Sequence, residues 1–431
     1  MTPSPQFLVG HAPLDPVTDA EPIGDFDTGY TPAPRLTERP TGAWLEGDDP
    51  GERRFADLGP LELELGGRLP QVRLAYETWG QLNADRSNAV LLCHALTGDS
   101  HAAARDGQSG WWKDIVGPGL AIDTDRYYVV CPNVLGGCQG STGPASPAPD
   151  GQPWGPRFPE ITMRDMAAAE ARLADLLGVE RWALVAGASF GGCRTMEWAA
   201  SFPERVGAFA VLVAGPASTA EHIAYAHLQN LAIRLDPRWR GGHYYDAEPD
   251  ESGVSGPDAG LGLAREIAHL TYRCAPELAA RFGRTPQEGE DPLRGGRYAV
   301  QSYLDYHGAK LVARFDANSY LTISQAFITH DIGRGRGGTA QVVAGLKQPA
   351  LVVAVDSDRL FYPQHMAELA AVLPGARPLQ TVHSAHGHDG FLIENNEVSA
   401  IIADFLAEVA PVETAPVETV PVATAREGAT L

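Results

Sequence analysis

Short runs of consecutive apolar residues alternate along the middle of this chain with longer stretches whose apolar residues recur every three to four positions. Val90-Leu91-Leu92-Cys93-His94, Tyr127-Tyr128-Val129-Val130-Cys131, Trp182-Ala183-Leu184-Val185-Ala186, Phe209-Ala210-Val211-Leu212-Val213 and Leu351-Val352-Val353-Ala354-Val355 are of the first kind. Short, and apolar throughout except for His94 at the end of the first, they predict strands buried on both faces. Met163 to Leu177 is of the second kind and predicts a helix, with Gly178 as its C-cap. Further helices are predicted from about Pro363 to Leu373 and from about Phe391 to Val409. Leu61–Leu65 and Val72–Trp79 read as an opening antiparallel hairpin that turns at Gly66-Gly67. Strands alternating with helices imply the α/β class, a mostly parallel central sheet flanked by helices.

Between about 216 and 340 the texture changes to helical periodicity with polar and aromatic interruptions and an acidic loop, Asp246 to Gly260. Inserted between two sheet strands, such a segment predicts a helical cap over the strand C-terminal ends, where open α/β sheets bind ligands. The predicted organisation is therefore an irregular N-terminal arm (1–48), a core from 49–215 and 341–408, a cap (216–340) and a low-complexity tail (409–431) that repeats Pro-Val-Glu-Thr.

Composition removes several function classes. A net charge of -21 argues against a nucleic-acid partner, since little could neutralise a run of phosphates. No apolar run reaches the ~20 residues needed to span a bilayer, and Met1-Thr2-Pro3-Ser4-Pro5-Gln6 lacks the basic start and apolar core of a secretory signal. The 5 cysteines (Cys93, Cys131, Cys138, Cys193, Cys274) show no C-x-x-C pairing, so neither a disulfide framework nor a metal site is expected. A reducing cytoplasmic setting and small-molecule partners follow as expectations.

The chemistry concentrates at Gly187-Ala188-Ser189-Phe190-Gly191-Gly192, set between a strand-like run and the helix-like run Cys193 to Ala200. A G-x-S-x-G in that context is the nucleophile elbow of α/β-hydrolase folds: small residues permit the sharp turn that lifts the serine hydroxyl above the sheet. A serine hydroxyl needs a base to accept its proton and a carboxylate to orient the base, in the chain order Ser, Asp or Glu, His. Two aspartates compete for the acid, Asp356 at the strand end and Asp358 in the loop. Three histidines compete for the base, His383, His386 and His388, with His388 favoured by the tight loop that Gly387 and the following helix start create. The N–H groups of Phe190 and Leu96, the latter in His94-Ala95-Leu96-Thr97-Gly98, are the candidate oxyanion hole.

Several motifs in one order resemble the homoserine O-acetyltransferases. They are Ala95 to His101, Asn133 to Pro144 and the elbow, followed by Arg314 to Tyr320, His330 to Gly338, Asp358 to Phe361 and Gly387 to Leu392, together covering roughly residues 50 to 408. The resemblance implies acetyl transfer from acetyl-CoA, a co-substrate rather than a bound cofactor, to the hydroxyl of L-homoserine. The route is ping-pong through an acyl-serine, in methionine biosynthesis. It implies Ser189 as nucleophile, Asp358 as triad acid and His388 as base, with Asp389 holding the homoserine ammonium and Arg265 its carboxylate. It also implies a homodimer formed through the cap. One departure stands out: Asn230-Leu231 occupy positions where the family usually carries Arg-Gln. A homoserine O-succinyltransferase, a serine O-acyltransferase and, in another class, an esterase or thioesterase are the alternative readings on the same scaffold.

Overall fold

The computed structural model describes residues 39–411 except 106 and 252. Of the irregular arm expected over 1–48 and the low-complexity tail expected over 409–431, residues 1–38 and 412–431 lie outside the described residues. Eight strands form one sheet: β1 (Arg54–Glu62), β2 (Arg68–Trp79), β3 (Ala89–Cys93), β4 (Tyr128–Pro132), β5 (Leu184–Ala188), β6 (Phe209–Leu212), β7 (Ala350–Val355) and β8 (Gln380–Val382). They lie in the order β1-β2-β4-β3-β5-β6-β7-β8. Only β1–β2 and β2–β4 pair antiparallel. Every residue of β3, β5, β6 and β7 is buried, as the unbroken apolar runs require.

Among the described residues eleven α-helices accompany the sheet. α1 (Met163–Leu177) begins with a capping box in which Thr162 and Asp165 satisfy each other's backbone N–H groups, and ends at Gly178 in the left-handed conformation at φ 72°. α2 (Phe190–Ser201) follows the elbow and packs on α1 and on β5 and β6. Between β6 and β7 come α3 (Ala220–Leu235), α4 (Asp258–Tyr272), α5 (Ala275–Arg281), α6 (Ala299–Val312), α7 (Ala317–Ile328) and α8 (Thr339–Gly345). α4 packs against both α3 and α6, and α3 against α7. Buried Asp316 ties this layer together, accepting hydrogen bonds from Thr41, Tyr244 and Tyr245 at 2.7–2.9 Å. α9 (Pro363–Val372), α10 (Gly390–Ile393) and α11 (Asn395–Val409) complete the chain. No helix among the described residues is long and apolar enough to cross a membrane.

Four elements differ from expectation. β1 starts at Arg54 and stops at Glu62, so Leu63 and Leu65 belong to the turn. Register shifts around Gly59 let the strand continue through a Gly-Pro that broke its pattern in sequence. β8 has only 3 residues, too few to carry a pattern. The helix expected over 391–409 is two, α10 and α11, with Glu394 between them at φ -82° and ψ 54°. The acidic loop ends at Pro257, where α4 begins.

Register decides where the chemistry can sit. β3 and β5 pair through Cys93↔Gly187, β5 and β6 through Ala188↔Leu212, and β7 and β8 through Val355↔Val382. The loops after β3, β5, β7 and β8 therefore leave from one edge of the sheet.

Candidate active site

Ser189 occupies the turn between β5 and α2 at φ 55° and ψ -127°, a conformation that side-chain-bearing residues rarely adopt. Close packing around the turn explains its glycines. A Cβ on Gly191 would lie 1.9 Å from the Cys93 carbonyl oxygen, and one on Gly187 would lie 2.4 Å from the Gly191 carbonyl oxygen. Both neighbours are backbone, so neither can swing aside. The Ser189 N–H donates to Leu212 O at 3.0 Å, and the Ser189 carbonyl accepts the Cys193 N–H at 3.1 Å, which starts α2.

The Ser189 hydroxyl lies 2.8 Å from His388 Nε2, and His388 Nδ1 lies 2.7 Å from Asp358 Oδ2. The other oxygen of Asp358 accepts the N–H groups of Leu360 at 2.7 Å and Phe361 at 3.0 Å. That division holds the carboxylate with one oxygen for the backbone and one for the imidazole. Phe361 stacks on the His388 ring at 5.5 Å, and Tyr272 and Phe391 close around it at 5.7 and 5.6 Å. Burial alone would lower the His388 pKa, but the Asp358 charge and hydrogen bond outweigh it and hold it above 6.5.

The remaining candidates have other partners. Asp356 accepts the Ser384 N–H at 3.0 Å and so pins the loop that carries His388. His383 pairs with Glu397 at 2.9 Å at the surface, and His386 lies 3.6 Å from Glu277.

Leu96 and Phe190 line a cleft with Ser189, and neither backbone N–H donates to any described residue. Both are available to a developing oxyanion. The loop carrying Leu96 is held from below by His94, whose Nδ1–H donates to Ala95 O at 2.7 Å while Nε2 accepts the Val134 N–H at 3.0 Å. Burial, then the Arg194 charge, push the His94 pKa down to about 3, so that neutral tautomer is fixed. From above, Arg314 donates to the Thr97 carbonyl and Arg265 to the Thr97 hydroxyl at 3.4 Å.

The cleft is walled by Tyr225, Gln229, Tyr272, Phe327 and Phe361. No lysine or arginine is among the residues that line it. Its one further imidazole, His222, is engaged at both nitrogens, donating to Leu360 O at 2.7 Å and accepting the Thr219 N–H at 3.2 Å.

Arg265 and Asp389 lie just behind these walls. The Arg265 guanidinium sits 5.3 Å over the Tyr272 ring, which also lies 5.7 Å from the His388 ring. Asp389 is 3.3 Å from Arg273, a buried arginine just past the end of α4 that belongs to none of the motifs in the sequence. Its only local signal was a charged residue at the end of an amphipathic helix, which fits a solvated C-terminus equally well. Neither Asn230 nor Leu231 lines the cleft; Asn230 is buried in α3 and Leu231 is 39% exposed.

The chain is similar to several known proteins. The alpha/beta hydrolase fold family matches residues 88–388. The homoserine O-acetyltransferase of Thermobifida fusca is 57% identical over 373 residues, covering 85% of this chain and 97% of the relative. That of Leifsonia xyli subsp. xyli is 53% identical, covering 83% and 90%. Among solved structures, a homoserine O-acetyltransferase from Bacillus anthracis superposes with a TM-score of 0.75 at 26% identity, covering 84% of this chain and 99% of that one. The esterase E22 superposes with a TM-score of 0.74, also at 26% identity, covering 82% and 99%.

Proposed function

The chain belongs to the homoserine O-acetyltransferase family on the α/β-hydrolase fold, and from that premise we propose that it transfers an acetyl group from acetyl-CoA to the hydroxyl of L-homoserine through an acetyl-Ser189 intermediate. His388 Nε2 takes the Ser189 proton as Oγ attacks the thioester carbonyl. The oxyanion forms against the Leu96 and Phe190 N–H groups, the C–S bond breaks, and the thiol leaves with the proton from His388. Homoserine then enters, His388 deprotonates its hydroxyl, and the alkoxide takes the acetyl group while the proton returns to Ser189. Asp358 holds the imidazole tautomer and offsets the imidazolium charge in both halves. Asp389 and Arg265 are the anion and cation for the acceptor's ammonium and carboxylate.

The observation that carries the chemistry is the hydrogen-bonded line from Ser189 through His388 to Asp358. The acceptor rests on the relatives, because E22 shows that the same scaffold also serves an esterase. The donor preference rests on the relatives as well, which are named acetyltransferases.

A cytoplasmic enzyme and a homodimer formed through the cap belong to the same proposal. Leu228, Leu231 and Leu235 on α3 are exposed at 49%, 39% and 70%. They offer the apolar face that such an interface needs.

The deciding experiment measures coenzyme A release from acetyl-CoA and succinyl-CoA with homoserine, with serine and with no acceptor. Acetyl-CoA turnover should be at least about a hundredfold faster with homoserine, a barrier difference of ~2.7 kcal/mol. Mass spectrometry should find one acetyl group on the parent protein and none on Ser189→Ala. Turnover indifferent to homoserine would make the protein a thioesterase.

A further inference from the structure

The end of α4 and the loop carrying His388 approach more closely than side chains would allow. A Cβ on Gly387, which sits at φ +71°, would lie 2.8 Å from the Tyr272 carbonyl oxygen and 3.0 Å from backbone atoms of Arg273 and Cys274. The Cys274 thiol donates to Ala385 O at 2.9 Å across the same seam. Arg273 lies within it, buried, with one guanidinium nitrogen 3.3 Å from Asp389 Oδ2 and another 3.4 Å from Glu277 Oε1. Glu277 is itself held by Arg281 at 4.0 Å and His386 at 3.6 Å. Arg273 is thus fixed from behind by one carboxylate and aimed at a second. Asp389 Oδ1 takes no hydrogen bond from the described residues.

Resting on the proposed function, we propose that Arg273 is a positioning residue for the acceptor half-reaction: it holds Oδ2 of Asp389 so that Oδ1 faces the acceptor ammonium. The burial makes the arrangement consequential. A carboxylate beside the catalytic imidazole and without a fixed partner would rotate toward whatever donor it could find. The arginine removes that freedom before substrate arrives, so the ordering cost is met in folding rather than in binding. Because Arg273 belongs to the cap and Asp389 to the core loop, the pair also locks cap and catalytic loop in one register.

The test is a double-mutant cycle read in both half-reactions. The unsubstituted protein first reports on the proposed function: without acetylation of Ser189 and dependence on homoserine, that reading fails before any variant is compared. Given both, Arg273→Gln should raise the KM for homoserine roughly tenfold or more and leave the rate of Ser189 acetylation nearly unchanged. Arg273→Lys, which keeps the charge, should recover much of the loss. If Arg273→Gln does not fold, Arg273→Met, which also removes the charge but suits a buried site, takes its place in the cycle. Combined with Asp389→Asn, either substitution should cost no more in the acceptor step than Asp389→Asn alone, because the arginine acts through that carboxylate. Additive losses, an unchanged KM for homoserine, or equal damage to acetylation would overturn the proposal.

Discussion

Asp358→Asn is the substitution for which the structure specifies the consequence most fully. Oδ1 of Asp358 accepts two backbone N–H groups, those of Leu360 and Phe361, while Oδ2 faces His388 Nδ1 alone. An asparagine in this place will keep its oxygen on the two backbone donors and turn its amide nitrogen toward the imidazole. Nδ1 must then accept, so the ring proton moves to Nε2 and points at the Ser189 hydroxyl. In that tautomer His388 has no lone pair for the serine proton. Loss of the orienting carboxylate in other triads lowers turnover by about 10⁴, a barrier increase of roughly 5 kcal/mol. Folding should be little affected, since the two backbone hydrogen bonds survive and no volume changes. The assay is the burst of coenzyme A on mixing with acetyl-CoA, with the melting temperature of each variant as control. Asp356→Asn is the matched comparison: its oxygen can still accept the Ser384 N–H, and turnover should fall by less than about tenfold. A variant at Asp358 that kept a tenth of the parent rate, or a larger loss at Asp356, would refute this account of the site.

Two further outcomes follow from the same geometry. With neutral His388 as the proposed base and Asp358 holding its pKa above 6.5, kcat/KM for acetyl-CoA should fall as pH drops through a value above 6.5; in Asp358→Asn burial is less opposed and that limb should move to lower pH, as a pH–rate profile of the residual activity would reveal. Gly191→Ala would put a Cβ 1.9 Å from the Cys93 carbonyl oxygen, so it should destabilise the fold by roughly 3 kcal/mol or more and abolish acetylation, whereas a denaturation curve matching the parent's would contradict the tight packing of the elbow.

Local pattern was enough for much of this protein. Unbroken apolar runs announced β3, β5, β6 and β7, because a strand covered on both faces can carry nothing else. Helical spacing with a terminal glycine marked α1 to the residue, and the glycines of the elbow marked Ser189, because a sharp turn wedged against β3 excludes side chains there. These are properties a short stretch of chain possesses by itself. The strand of 3 residues that completes the sheet was below that threshold, and the irregularity of β1 displaced its expected start from Arg54 to Leu61 although the antiparallel hairpin itself was legible.

The choice among Asp356, Asp358, His383, His386 and His388 was of a different kind. Residue types near one another in sequence left the acid open and only favoured His388 as the base, and the resemblance pointed to the pair Asp358 and His388. In the folded chain the answer depends on approach across 199 residues between Ser189 and His388. It depends also on Asp356 being turned toward Ser384 while Asp358 turns toward the imidazole. Arg273 is the same case at greater remove, since a charge at a helix end becomes a buried partner of Asp389 only when cap and catalytic loop close on each other. Periodicity reports which side of an element is buried. Which two polar groups meet in that interior is decided by long-range packing, and no local pattern encodes it.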